Sequence, residues 1–260
     1  MMKNLLIQLF FLSLLVGCST FGDKDEDETI TWDAERLYNE AKGSLDAGYF
    51  DEAVELYEKL ERRFPFGVYG QQSLLDLAYA YYKANEPDQS ISASNRFIKL
   101  YPQNAHVDYA YYLRGLANFN RGKGLVSRLL PKDEAQRDQG SAQQAFQDFN
   151  ELVRKFPESD YRADAEQRMR YLRNNLAQNE VYIATYYMRR GAFVAAVNRA
   201  RYVIENFQRT PSVPDALLIL AKAYRVLEME DLANDAIRVL ENNYPNHPGL
   251  NDVKNVKIIN

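Results

Sequence analysis

One cysteine, two histidines and one tryptophan are all that 260 residues hold of those three types. The single thiol, Cys18, excludes an internal disulfide, so the folded part must be held by packing alone. His106 and His247 stand far apart, one in a turn and one beyond the last amphipathic segment, and each reads as a solvated turn residue. No zinc-type His pair, phosphate loop or Gly-flanked serine nucleophile occurs. Carboxylate pairs such as Asp51 and Glu52, or Asp133 and Glu134, fall in turns or loops where helix capping and solvated charge account for them. Catalytic residues and metal ligands are therefore expected to be none, and enzyme is the weaker class. An excess of positive charge is also missing: the formal net charge is −4, or −5 without Lys3, which gives no electrostatic reason to expect nucleic acid. Nor is there a long apolar run. Leu5 to Val16, broken only by Gln8 and Ser13, is too short to cross a bilayer.

That run, preceded by Lys3 and closed by Leu15-Val16-Gly17-Cys18, is similar to a bacterial lipoprotein signal. Residues 1–17 are expected to be removed and Cys18 to carry covalent lipid; at about 0.8 kcal/mol per buried methylene, three acyl chains would hold the protein at its membrane. The absence of Asp at position 19 resembles lipoproteins sorted to the outer membrane. Residues 18–31 include Asp23-Lys24-Asp25-Glu26-Asp27-Glu28, which buries nothing and repels itself, so it reads as an extended acidic tether.

From Ala34 the apolar positions recur every three or four residues, the helical period. Leu37, Ala41 and Ser44 share one helix face, Gly48 and Phe50 make a turn, and Ala53, Tyr57 and Leu60 face inward from a second helix before Pro65. This is tetratricopeptide spacing, and one such hairpin cannot bury its own apolar face. Gln71 to Pro102 repeats it. A third unit begins at Asp108 and ends at Pro157, with 18 extra residues expected as a long irregular loop around Arg121 to Gly140. Tyr161 to Arg190 lacks Gly and Pro and predicts one helix of roughly 45 Å. Its later half opens a fourth unit completed by Gly191, Phe193, Ala196, Ala200 and Val203, and a fifth runs from Pro214 to Pro245. The expected fold is all-α, a tetratricopeptide-repeat solenoid of about five helix hairpins, divided into residues 32–157 and 158–249, with 250–260 as a frayed tail.

A helical solenoid presents a concave face made by the first helix of each hairpin. In the second and third units the positions expected to line it are Gln72, Leu75, Tyr79, Tyr82, Tyr109, Tyr112, Leu116 and Phe119; Tyr38 is the counterpart in the first. These aromatics suit an extended peptide ending in aromatic residues, with Lys83 and Arg114 near for its carboxylate. The competing reading places several of the rings in the inter-helix core, because a one-residue error in register exchanges groove for core. Met188-Arg189-Arg190-Gly191 and Asn198-Arg199 with Arg201 form a basic surface, read either as solvated charge or as a partner site.

Arg63-Phe64-Pro65-Phe66-Gly67 with Tyr69 and Gln71-Gln72, Asp108-Tyr109 to Arg114-Gly115-Leu116, and Tyr186-Tyr187 to Arg190-Gly191-Ala192 followed by Asn198-Arg199 together resemble the BamD family of lipoproteins of the β-barrel assembly machinery. The likeness covers nearly the whole chain after the leader. Gln136-Arg137-Asp138-Gln139 departs from the family's usual Asp-Arg-Asp-Pro. The resemblance implies a non-enzymatic scaffold, lipid-anchored at the periplasmic face of the outer membrane and without cofactor. It implies that the N-terminal repeats receive the C-terminal signal of unfolded barrel proteins. It further implies that the C-terminal repeats, with Arg190, Asn198 and Arg199, bind the last POTRA domain of BamA, and that BamC-like and BamE-like lipoproteins are partners. The alternative function is a periplasmic scaffold associated with peptidoglycan or competence.

Overall fold

The computed structural model describes residues 28–121 and 139–255. After a short 3-10 turn at Glu28–Thr31, the helices are α1 (Ala34–Ala47), α2 (Phe50–Arg63), α3 (Gly67–Lys83), α4 (Pro87–Leu100), α5 (Val107–Asn120), α6 (Gln139–Lys155), α7 (Arg162–Arg189), α8 (Phe193–Asn206), α9 (Val213–Val226), α10 (Glu230–Asn243) and α11 (Leu250–Asn255). There is no strand among the described residues. The five expected hairpins are α1–α2, α3–α4, α5–α6, the later half of α7 with α8, and α9–α10. The expected long helix is also present, as the 28-residue α7.

Small residues are fully buried on both helices of several hairpins. They are Ala41 and Ala53 in the first, Ala184 and Ala196 in the fourth, and Ala221 and Ala233 in the fifth. In the second hairpin the partner of Ala78 is Ser90, whose buried hydroxyl donates to the Ala78 carbonyl at 2.8 Å. The third uses Gly115, where a Cβ would lie 2.6 Å from the ring of Phe149, itself wholly buried. Four of the connections share one backbone device. Gly48, Asn85, Gly191 and Glu228 adopt positive φ (86°, 63°, 72° and 59°). In each, that residue and the next donate to carbonyls of the preceding turn: Gly48 to Leu45 at 3.1 Å and Tyr49 to Ser44 at 2.8 Å, and likewise Glu228 to Arg225 at 3.0 Å and Met229 to Tyr224 at 2.9 Å. This pattern satisfies the carbonyls left open at a helix end.

Two hydrophobic clusters form the interior. The first takes in α1 to α6 and the early part of α7, through Ala165 and Leu172. The second begins at Ala177 and Val181 of the same helix and runs through α8 to α11. The changeover therefore lies inside α7 and not at residues 157/158. First helices of successive hairpins also touch: α1 with α3, α3 with α5, and α7 with α9.

Some expectations need correction. The tail is not frayed from residue 250: α11 packs on the last hairpin, with Leu250 and Val253 buried, because its two apolar residues three apart share a face. The last part of the tether is likewise docked, since Thr29 is buried and Arg63 holds its carbonyl. The insertion ends earlier than expected, because Gln139 and Gly140 already belong to α6. The leader at 1–17, Cys18, most of the tether, the rest of the insertion and residues 256–260 lie outside the described residues.

Candidate functional site

The aromatic positions expected on the concave face occupy an intermediate place. Tyr38, Tyr79, Tyr82, Tyr109, Tyr112 and Phe119 are all half-buried, each packed against the first cluster with part of its ring in solvent. Leu75 and Leu116, placed on the same face by register, are buried instead, at 3% and 8% exposure. The reason is size: a leucine between helices that carry tyrosines stays in the layer on which the rings rest.

The rings form a row of clusters along α1, α3, α5 and the early part of α7. Tyr38 contacts Tyr69 at 5.5 Å between centroids, and Tyr79 contacts Tyr82 at 6.5 Å. Tyr161, just before α7, stacks on Tyr112 at 4.8 Å and lies 5.1 Å from Tyr109. Phe119 meets Tyr171 at 5.7 Å. Three of the hydroxyls are tied down: Tyr38 donates to Asp76 at 2.9 Å and Tyr112 to Asp164 at 2.6 Å, while Tyr82 accepts from Asn120 at 2.9 Å. An incoming chain thus meets ring faces and edges more than free hydroxyls.

Electrostatics follow from this arrangement. Burial raises the Asp76 carboxyl above its ordinary range despite hydrogen bonds from Tyr38 and Gln72 and the nearby charge of Lys42. Burial, with Asp76 beside it, also pushes the Tyr38 phenol well up. Tyr112 is pushed up to about 12 by burial and by its bond to Asp164. At Asp164, burial is outweighed by hydrogen bonds from Arg168 and Tyr112, and its carboxyl lies below the usual value.

The two cations expected beside this row divide differently. Lys83 is exposed at the end of α3, its ammonium 5.1 Å from the Phe50 ring. Arg114 is not free for a ligand: it bonds Asp148 at 3.0 Å, Glu151 at 2.7 Å and Asn95 at 2.9 Å, and its side chain is 14% exposed. Buried Asp148 draws it inward, toward α6. The cation that does reach the row is Arg168, bonded to Asp164 and 4.9 Å from the Phe119 ring centroid. Arg168, Asp164, Tyr161 and Tyr171 escaped sequence reasoning because the early half of α7 precedes the fourth repeat and has no place in the repeat register. Asp76 left a signal, a lone acid inside Leu74-Leu75-Asp76-Leu77-Ala78.

At the other end of the molecule Arg190, Asn198 and Arg199 are all exposed. Arg190 lies over the ring of Tyr186 at 5.3 Å, and Arg199 bridges to Glu180 of α7 at 3.1 Å. Arg201 donates to the Tyr224 hydroxyl at 3.3 Å. Nearby, a cavity of about 430 Å³ opens between α7 and α9, lined in part by Val181, Met188, Arg189, Leu218 and Lys222. His247, expected to be solvated, bonds Asp215 at 3.1 Å and is largely covered, whereas His106 is exposed. Among the described residues no cluster of three His, Cys, Asp or Glu has the geometry of a metal site, and no helix is long and apolar enough to cross a membrane.

Residues 31–254 match the model of the YfiO family, described as an outer membrane lipoprotein. The chain belongs to this family. Its relatives include the outer membrane protein assembly factor BamD of Neisseria meningitidis serogroup B, 45% identical over 96% of this chain and 94% of that protein. The BamD proteins of Xylella fastidiosa (strain Temecula1), 36% identical over 93% of this chain and 82% of that protein, and of Vibrio cholerae, 35% identical over 86% and 91%, are similar as well. Among solved structures, that of MamA protein is similar over 80% of this chain and 90% of its own, at 18% identity and a TM-score of 0.40. The family match spans nearly all the described residues, so both the aromatic row and the Arg190 surface lie within the family's shared fold.

Proposed function

We propose that the chain is a non-enzymatic scaffold for the assembly of outer membrane β-barrel proteins, held by lipid on Cys18 at the periplasmic face and needing no cofactor. Family membership and relatives named as assembly factors support this reading. The observation that carries it is the row of half-exposed aromatics on α1, α3 and α5, continued by Tyr161 and Tyr171, with the hydroxyls of Tyr38, Tyr82 and Tyr112 already bonded within the protein. Such a surface suits the aromatic C-terminal segment of an unfolded barrel, since ring pairs contribute about 0.5–1.5 kcal/mol each beyond area burial. Tyr38, Tyr79, Tyr82, Tyr109, Tyr112 and Phe119 supply the rings; Lys83 and Arg168 stand at its margins for the terminal carboxylate. The last POTRA domain of BamA docks on the surface around Arg190, Asn198 and Arg199, and BamC-like and BamE-like lipoproteins complete the assembly.

Photo-crosslinkers at Tyr82 and Tyr112 test the reading. They are expected to capture a peptide carrying the C-terminal segment of a barrel protein, and Tyr79→Ala is expected to weaken binding by about tenfold, the effect of one anchoring ring. Failure to crosslink from every one of the six aromatic positions would remove the basis of the proposal.

A further inference from the structure

The three most exposed large apolar side chains in the described residues are Phe66 at 85%, Val68 at 80% and Ile30 at 67%. All three belong to one neighbourhood. Arg63, the last residue of α2, donates to the backbone carbonyls of Thr29 at 2.6 Å, Ile30 at 2.9 Å and Trp32 at 2.5 Å, and so fastens the segment before α1 to the base of the α2–α3 loop that carries Phe66. The loop is rigidly backed. Gly67 turns at φ +88°, and at Gly70 a Cβ would lie 2.6 Å from the Phe64 carbonyl oxygen, so the first turn of α3 presses directly on the loop backbone. Phe66 is therefore held outward by fixed main chain.

The surroundings have the composition of a membrane interface. Trp32 is half-buried with the Arg36 guanidinium 4.3 Å from its ring centroid, Tyr69 is half-buried, and Arg62 and Arg63 are exposed. Large apolar tips among Trp, Tyr and Arg are the mixture that settles at the boundary between headgroups and acyl chains. Position in the chain points the same way. Ten residues lead from Cys18 to Glu28, a reach of at most roughly 35 Å even when fully extended. A patch at the root of that tether is kept close to any bilayer in which the lipid on Cys18 is embedded.

We propose that Ile30, Phe66 and Val68 form a lipid-facing patch that enters the phospholipid surface beside the acyl anchor. The anchor alone fixes distance and leaves the domain free to rotate; the patch supplies a second point of attachment and thereby an orientation. The inference rests on the lipid anchor of the proposed function, and the test reads the two separately.

Full-length lipidated protein is placed in vesicles of phosphatidylethanolamine and phosphatidylglycerol, with and without bromine on the acyl chains. Trp32→Phe removes the one tryptophan, and Phe66→Trp, Val68→Trp and, as a control on exposed Tyr186 of α7, Tyr186→Trp are built on that background. Emission from positions 66 and 68 is expected to shift to the blue and to be quenched by brominated lipid, while that from 186 does neither. Flotation with the vesicles reports the anchor. A chain that floats while its reporters at 66 and 68 behave like that at 186 overturns the patch alone; a chain that does not float overturns the anchor and the patch with it. A blue shift that appears only when a partner protein is added, with no quenching by lipid, assigns the patch to a protein contact and overturns the proposal.

Discussion

Four hairpin turns that share one backbone conformation carry three kinds of residue there, glycine twice, asparagine and glutamate, and this predicts substitutions of opposite sign at equivalent sites. Gly48 and Gly191 adopt φ of 86° and 72° without strain, whereas Glu228 adopts φ 59° with a Cβ in place. A left-handed conformation costs an L-residue roughly 1–2 kcal/mol. Replacing Glu228 by Gly removes that cost and adds about 0.5–1 kcal/mol for the greater freedom of glycine in the unfolded chain. The expected net gain is about 0.5–1 kcal/mol. Gly191→Ala runs the same balance backwards and is expected to lose about as much. With some 2–4 °C of Tm per kcal/mol at this chain length, the pair should separate by several degrees in a thermal melt followed by helix ellipticity. Asn85→Gly should gain less than Glu228→Gly, because asparagine tolerates this region better. Glu228→Ala is the necessary control, since a carboxylate near a helix C-terminus is itself unfavourable. Should Glu228→Ala raise Tm as much as Glu228→Gly, charge and not backbone strain is the cause, and the reasoning fails.

Three further substitutions address the interior. Gly115→Ala drives a methyl into the Phe149 ring and should cost about 1–3 kcal/mol by chemical denaturation. Adding Phe149→Leu should recover part of this loss, and no recovery would mean that the ring is not the obstacle. Arg114→Met strands nearly buried Asp148 and should cost about 3–5 kcal/mol, much of it restored by the double change Arg114→Met with Asp148→Leu. Asp76 has a folded-state pKa raised by burial, so its contribution to stability is fully present below the unfolded pKa and lost as pH rises through the folded one. Asp76→Asn keeps an acceptor for Tyr38 and should melt higher than the parent at neutral pH. That difference should close as pH falls into the carboxylate range; a difference that widens in acid contradicts the assignment. Asp164, with a lowered pKa, contributes in the opposite direction: its stabilisation is present above the unfolded pKa and fades as pH falls through the folded one.

What the sequence made legible was whatever repeats. The 3.6-residue period, the small residues at helix crossings and the unbroken run of α7 are local signals, and each corresponds to an observed element. The aromatic row was legible as a helix face and not as individual atoms. Tyr38, Leu75 and Tyr112 share one repeat position, yet only the leucine is buried, because the shorter side chain stays in the layer on which the rings rest. Arg114 shows the same limit: its charge was readable, but the acids that consume it, Asp148 and Glu151, lie on a helix beyond an insertion. The positive-φ turns were half legible. Glycine announced two of them; Asn85 fits the region moderately well, and Glu228 was set there by the hairpin geometry against its own preference.

The long helix carries residues of two surfaces with different chemistry. Its early residues Asp164, Arg168 and Tyr171 finish the aromatic row, and its later residues Glu180 and Tyr186 hold Arg199 and Arg190. Between these lie Leu172 of the first hydrophobic cluster and Ala177 of the second, little more than one turn apart, with no glycine or proline anywhere in the 28 residues. Helices bend sharply where the hydrogen-bond ladder is interrupted, and nothing in this one interrupts it. The row and the Arg190 surface are therefore joined by a continuous rod of about 42 Å at 1.5 Å per residue. On the proposed function the client end and the assembly end are parts of the same element, and a break in α7 is expected to uncouple them while leaving both surfaces chemically intact.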